Sequence, residues 1–551
     1  MIGLLSANSA SMPIDALKVA LPIGIGLASA ALLTMKMTSN PADKSIPTVP
    51  IRAGDTTHDK EFTEDPDEFL SRAVEDHGPV FIVKVLNQTL ITISGSMVRE
   101  IFMNENFSFG DAMDALTGVQ SFMMSVLKSH KDPDSRVIHE IVRDNISPNL
   151  PLFTPRIVEQ LERVIDEQLG YCEGKIVEKP IKIVQDMIAY AMANVFMGPD
   201  VAQHRAVIDT FIQVTYDFGV VIGRENRKNP WHAWSNRTKY GLLNPLHKHI
   251  QVLTDVAGPA IEERRRQEAE AIEKGLEYDR PQDIMQRLLD NNEKYGFVDL
   301  EDLCGHLLIL ILVSVHTTTD TSNNLMYYLA AYPEYVEPLF QEQQEVLAQI
   351  TNERTELRQK KLQSGEFASL DEFTDTELDP AHDRDLSAAA VKRMVHMDSF
   401  VREIFRNRTP RLDLMHIARK PITLSNGMRI AKGQMVVANM HSLHQSYEFQ
   451  GEDPTEFRPW RFLGKAKAAT KAATDFLPFG MGRHACPGRF LAIQELKTVG
   501  ALVVSRYSKI EMQDPSHKKR ALLSRIGDPC PSGLIFTSRS FAPVASNDKE
   551  A

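Results

Sequence analysis

A basic surplus is the first thing this chain lacks. Against 73 acidic side chains stand 62 Lys and Arg, a net charge of -11. Nucleic acid is thereby excluded as a partner, because a phosphate-binding face needs clustered positive charge. Cysteine is scarce as well: Cys172, Cys304, Cys486 and Cys530 are scattered, with no C-x-x-C pair. That spacing excludes a zinc ribbon and a disulfide framework, and it suits a reducing compartment in which any special cysteine is a ligand or a nucleophile. Internal repeats and long low-complexity tracts are also missing. What remains is an ordinary globular balance, 43% apolar and 25% charged over 551 residues, a length that would by itself suggest two to four domains.

Long uncharged runs are few, so the first one stands out. Residues 19–35, VALPIGIGLASAALLTM, lie between Lys18 and Lys36 at the short end of a membrane span. Pro22, Gly24 and Gly26 weaken a helix there, although lipid tolerates them. No cleavage site follows, and the reading is a retained transmembrane anchor preceded by a short lead, residues 1–18. Residues 36–59, with Pro41, Pro47 and Pro50, then form a stiff hinge. A folded body is expected over 60–540 and a flexible tail over 541–551.

Helical patterns dominate that body. Residues 296–331 open on Asp299, Glu301 and Asp302, which favour a helix N-terminus, and then run apolar on nearly every face, as a helix through the middle of a large core does. Residues 262–275 read as an exposed charged helix end and 351–388 as a surface insertion. Between 411 and 444, β-branched residues with Gly427 and Gly433 predict short strands and turns. The basic-aromatic stretch VVIGRENRKNPWHAW, with Arg224, Arg227, Lys228, Trp231 and Trp234, fits either a membrane interface or a solvated loop. The fold class is mainly α with small β-sheets.

The informative cysteine is Cys486, within FLPFGMGRHACPGRF at 476–490. A thiolate that binds a metal must be deprotonated and reachable. Gly480 and Gly482 permit a tight turn that brings backbone close to a flat ligand. Pro487 suits the first position of a helix, so Cys486 is expected at the N-terminus of a helix whose apolar positions Phe490, Leu491, Ile493, Leu496, Val499 and Val503 recur at helical spacing. Dipole and free N–H groups, that of Gly488 included, favour a thiolate there. Phe479, Gly482, a basic residue two before the cysteine, Cys486 and Gly488 occur together by chance on the order of 10⁻⁶ per starting position.

This loop resembles the haem-binding loop of the cytochrome P-450 superfamily, and three further stretches resemble family motifs in family order. Glu403 and Arg406 of DSFVREIFR, with Arg461 of DPTEFRPWRF, are similar to the family's buried ion triad. VSVHTTTD places Thr317 at the oxygen-activating threonine, with Ser314 for the usual glycine and His316 for the usual acid. His139 and Arg143 of HEIVR, one helical turn apart, resemble an element that binds a haem propionate; Arg483 and His484 stand where the second propionate would be met, His484 in the place where Arg is commonest.

The resemblance covers roughly residues 60–540 and implies haem b held between the 296–331 helix and the cysteine loop, with Cys486 as the iron ligand. It implies a monooxygenase that inserts one oxygen atom of O2 into a lipophilic small molecule, a steroid or other isoprenoid among the candidates. No flavin or nucleotide fingerprint is present, so electrons must come from a partner. A membrane-bound NADPH–cytochrome reductase, with cytochrome b5 as a second donor, is the expected one, met at a basic face of Lys465, Lys467, Lys471, Arg489 and Lys497. The fungal look of the His-Thr-Thr helix suggests secondary metabolism, and the anchor suggests the endoplasmic reticulum membrane with the catalytic part in the cytosol. The alternatives are a haem protein that only binds lipid or gas, and an isomerase or dehydratase of the same fold.

Overall fold

A computed structural model describes residues 46–85, 88–132, 135–222, 244–374, 378–523 and 529–539; the side chains of 218–222 and of His484 are outside that description. The anchor, the first part of the hinge, the 224–234 stretch and the tail therefore lie outside the described residues. The chain forms two compact units, one from residues up to Met113 plus Arg411–Ser442, the other from Asp114–Pro410 plus Leu443 onward.

The smaller unit is built on strands β1 (Val80–Val85), β2 (Gln88–Ile93) and β3 (Phe107–Ser108), joined by β5 (Leu412–Ala418) and β8 (Met435–Asn439) in the order β1-β2-β8-β5-β3; β4 (Lys175–Val177) belongs to the larger unit. A two-stranded ribbon, β6 (Ile422–Thr423) with β7 (Arg429–Ile430), completes the strands expected between 411 and 444. The β5–β8 register shifts between Asp413 and His416. There Leu414 takes a φ of 54°, the local kink of a bulge. Helix α1 (Pro66–His77) starts where Asp65 accepts the N–H groups of Asp67 and Glu68 ahead of a proline. It buries Phe69, Leu70 and Ala73 with Phe81, Val83, Leu90 and Val437.

The larger unit is helical. Its main elements are α2 (Val137–Ile141), α3 (Leu150–Gln168), α4 (Pro180–Met197), α5 (Arg205–Ile222), α6 (Pro245–Glu273), α7 (Leu300–Ala331), α8 (Val336–Gln363), α9 (Val395–Arg408) and α10 (Arg489–Arg506), with a small sheet of β4, β10 (Leu534–Ser538) and β9 (Tyr507–Met512). The long central helix is α7. Asp299 caps it by accepting the N–H of Asp302 at 2.9 Å, and Asp302 in turn accepts the N–H groups of Lys128 and Ser129. Among the described residues α7 is the one helix long and apolar enough to cross a membrane, yet it is packed as core from Leu303 to Leu312 and again from Thr321 to Ala330. Helix α10 is likewise buried nearly all round, from Leu491 to Val504.

Three sequence expectations need correction. Residues 351–363 are not insertion but the last turns of α8, where Glu, Arg, Gln and Lys are good helix formers with a solvated face. The segment from Ser364 onward is strapped back along α8: the Arg358 guanidinium donates to the Leu378 carbonyl at 2.9 Å and pairs with Asp383, while Phe373 is buried against the Phe367 ring at 4.4 Å. Helix α10 starts at Arg489 with Gly488 as its cap, so Pro487 lies before the helix instead of opening it, and Phe490 faces outward. In the charged end of α6, Arg264 is an exception to exposure: it is buried between Asp200 and Asp283.

Candidate active site

Backbone strain sets the cysteine loop. Gly480 (φ 64°) and Gly482 (φ 62°) both take the left-handed conformation that side-chain-bearing residues rarely adopt. The turn they make closes when the N–H of Cys486 donates to the Phe479 carbonyl at 2.7 Å. The Phe479 ring packs on Phe405 of α9, centroids 5.0 Å apart, which ties the loop to the core. Cys486 is a free thiol, half-buried. Burial pushes its pKa up, opposed by the N–H groups of Gly488 and Arg489 and by the Arg489 charge. Close packing reaches the sulfur: a Cβ at Gly488 would stand 3.9 Å from it.

Behind the loop stands a charge network on α9. The Arg406 guanidinium pairs with Glu403 at 2.7 Å, and Arg461 reaches the same carboxylate at 3.1 Å, with all three side chains shut off from solvent. All five N–H groups of each arginine are used, on Glu403 and on the carbonyls of His444, Gln450, Glu452, Asp453, Pro454 and Glu456. The His444 ring nitrogen accepts from the Leu477 N–H at 3.2 Å, so this network holds the entry to the cysteine loop. A surface groove of about 480 Å³ backs onto it, lined by Tyr335, Arg458, Trp460 and Arg461.

On α7 one face opens in mid-helix. Val313 is 47% exposed, and His316 and Thr317 are exposed with it, while Leu312, Val315, Thr318 and Thr319 beside them are buried. Positions 313, 316 and 317 share one helical face. The Thr317 hydroxyl donates to the Val313 carbonyl at 2.9 Å, leaving its lone pairs to accept a further proton donor. His316 is accessible yet surrounded by protein. Desolvation lowers its pKa against the raising pull of Asp320. Ser314 turns its hydroxyl back to the Leu310 carbonyl at 2.7 Å.

Other candidates fall elsewhere. Helix α2 ends at Ile141, and a π-helical turn occupies Val142–Ile146, so His139 and Arg143 are not one α-helical turn apart. His139 is half-buried with its pKa lowered, whereas the Arg143 side chain is 67% exposed and pairs with Asp144 at 2.6 Å. Arg483 lies exposed on the cysteine loop. Lys497 is the clear correction: it is only 3% exposed on the inward side of α10, paired with Asp398 at 3.5 Å, and belongs to no docking face. Its sequence signal, a lysine near the loop, could not reveal that α10 is covered on every side.

Sequence reasoning also missed residues. Glu495 on α10 is buried next to Thr318, with its pKa raised to about 8 by desolvation. Arg402 is buried beside Glu403 without a carboxylate partner, stacked over the Phe476 ring at 3.7 Å. Neither carries a motif; only α7 against α10 and α9 against the loop bring them in.

The donor set limits what this site holds. Among the described residues no group of three or more His, Cys, Asp or Glu side chains can hold a metal ion, and a single soft sulfur on a glycine-shaped loop suits a metal that brings its other ligands with it, as the iron of a macrocycle does.

Comparison with known proteins agrees. The model of the family described as Cytochrome P450 matches residues 57–364 and 375–526. The chain belongs to the cytochrome P450 family. The gap in that match, 365–374, falls in the segment strapped along α8. Similar proteins include the Cytochrome P450 monooxygenase paxP of Penicillium paxilli, 25% identical over 72% of this chain and 70% of that protein. Cytochrome P450 monooxygenase 151 of Postia placenta is 26% identical over 87% of this chain and 90% of its own length, and Cytochrome P450 monooxygenase olcJ of Penicillium canescens is 26% identical over 74% and 71%. This cytochrome P450 is accordingly a monooxygenase, and the family implies a haem cofactor.

Proposed function

We propose that the protein holds haem b with Cys486 as the axial iron ligand and hydroxylates or otherwise oxygenates a lipophilic small molecule of fungal secondary metabolism, a steroid or terpenoid in class. The observation that carries this reading is a free, half-buried cysteine on two left-handed glycines, with no metal-holding cluster of protein ligands among the described residues. Bound haem supplies the activation of O2; the protein binds, orients and excludes water. Helix α7 contributes the other half. The Thr317 hydroxyl accepts a hydrogen bond from water or relays a proton, and the His316 ring beside it is the second candidate for that relay, a role its place in the family's acid position supports. Arg483, His484, His139 and Arg143 are the candidates for the propionates, and Gly482 and Phe479 shape the loop beneath.

Electrons come from a membrane-bound NADPH–cytochrome reductase, with cytochrome b5 as a second donor. The exposed Lys465 and Lys471, with Lys467 half-buried and paired to Asp475, support a basic landing site. The apolar run 19–35 supports a single N-terminal anchor in the endoplasmic reticulum membrane, the 36–59 hinge leading to a cytosolic catalytic body over 60–540 and a tail over 541–551.

The test is the absorption of the reduced, carbon-monoxide-bound protein together with substrate-dependent NADPH and O2 consumption. Wild type gives the long-wavelength thiolate band and C486S loses both band and turnover; a serine variant that keeps them ends the proposal. The double variant K465E/K471E needs several-fold more reductase for half-maximal turnover, and the difference shrinks at high salt. An unchanged reductase dependence removes this face from docking.

A further inference from the structure

Arg489 is the first residue of α10, yet its side chain folds back under the cysteine. Nη1 donates to the Cys486 carbonyl at 2.7 Å and Nε to the Thr470 carbonyl at 3.1 Å, with the guanidinium 4.4 Å from the centroid of the Phe490 ring. One planar fork therefore bridges two carbonyls from segments far apart in sequence. The second of these, residues 466–474, is gripped from its other side. Arg402 donates to the Ala468 carbonyl at 2.7 Å and to that of Lys471 at 3.3 Å, and Asp398 accepts the Ala469 N–H at 2.8 Å. The lysine-bearing segment is thus fixed between one arginine rooted in α9 and another rooted beside the sulfur.

We propose that Arg489 is a positioning residue for Cys486: by locking the cysteine carbonyl to the Thr470 carbonyl it fixes the direction of the sulfur and couples it to the Lys465–Lys471 segment. This rests on the reading of Cys486 as the haem ligand. The physical case is geometric. With its carbonyl unheld, the Cys486–Pro487 peptide keeps only the proline ring as a restraint and loses its tie to the Thr470 segment, and sulfur direction is what an axial ligand must hold constant. Groups behind a metal ligand typically change metal affinity by roughly 10–100-fold when removed. Lysine is no substitute, since a point ammonium lacks the planar fork that spans two acceptors.

The test uses the full-length haem protein carrying R489Q or R489K, read by haem retained per chain, by the ratio of long- to short-wavelength reduced-CO bands, and by reduction potential. R489Q is expected to lose haem about 10-fold faster, to shift the band ratio toward the short-wavelength form and to change the potential, while far-UV circular dichroism stays that of wild type. R489K is expected to fall between the two. Wild-type retention, ratio and potential in R489Q overturn the proposal. Failure of both variants to fold, judged by circular dichroism of the apoprotein, also overturns it, because Arg489 would then serve the fold and not the sulfur. Haem loss from folded apoprotein supports it. A wild type without the long-wavelength band would instead end the reading of Cys486 itself, a separate and visible outcome.

Discussion

Arg461 and Ser322 both lie in the larger unit, almost wholly shut off from solvent, and their polar atoms are treated in opposite ways. Around Glu403 every guanidinium N–H of Arg406 and Arg461 has an acceptor. Along the second half of α7, the Thr319 and Ser322 hydroxyls and the Asn323 carbonyl oxygen make no hydrogen bond to another described residue, and the buried Glu495 carboxyl on α10 has only the Thr318 hydroxyl beside it. A satisfied buried network holds a structure in place, whereas a buried polar group without a protein partner costs free energy unless solvent or a ligand meets it. The lesson is a division of labour. The α9 side fixes the entry to the cysteine loop, and the α7–α10 crossing leaves buried polar groups around Thr318 less fully matched.

The largest effect that sharpens this contrast is removal of Arg461. R461A leaves the Glu403 carboxylate with one charged partner and strands carbonyls at Gln450 and Glu452. The expected loss is about 3–5 kcal/mol of stability, the usual range for breaking a buried network, seen as a lower urea midpoint and weak haem incorporation. A change under about 1 kcal/mol would mean that this network is no more structural than an exposed pair.

Next in size is Thr317, on the open face. T317V should lower product formation about 100-fold, at the low end of what a positioned proton-transfer group contributes, with NADPH consumption continuing. Because the residue is exposed, stability should move by no more than about 0.5 kcal/mol. Equal loss of stability and product would erase the distinction between the two regions.

That distinction was only half legible beforehand. The cysteine loop, the long helix and the minor sheets follow from local patterns: glycines where φ is positive, apolar residues at helical spacing, acidic residues at a helix start; the Glu403–Arg406–Arg461 grouping is implied only by resemblance to a family motif. Arg402, Arg489 and Glu495 sit beside those motifs but matter through contacts across the chain, to Ala468, Thr470 and Thr318, which no period or spacing encodes. The same blindness placed Lys497 on a docking face. A lysine three residues from Gln494 reads as surface until α10 is seen to be covered by its neighbours. For His139 and Arg143 the spacing is altered by a local feature, a π turn that no propensity rule anticipates.

The smallest effect concerns Glu495 and tests whether the α7–α10 crossing really holds a proton. Desolvation raises this carboxyl to about 8 from 4.5. Between those values the folded chain keeps a proton that the unfolded chain has released, so stability must fall as pH rises through that window. The contribution is fully present below the lower value and exhausted above the upper one. E495Q keeps the shape and cannot ionise, so its urea midpoint should lack this part of the slope. At the alkaline end it should exceed wild type by about 1–3 kcal/mol, the cost of a buried polar group left unpaired. Parallel pH profiles for E495Q and wild type would show that the carboxyl is already ionised and paired in the folded enzyme, and that the crossing is as fully satisfied as the network around Glu403.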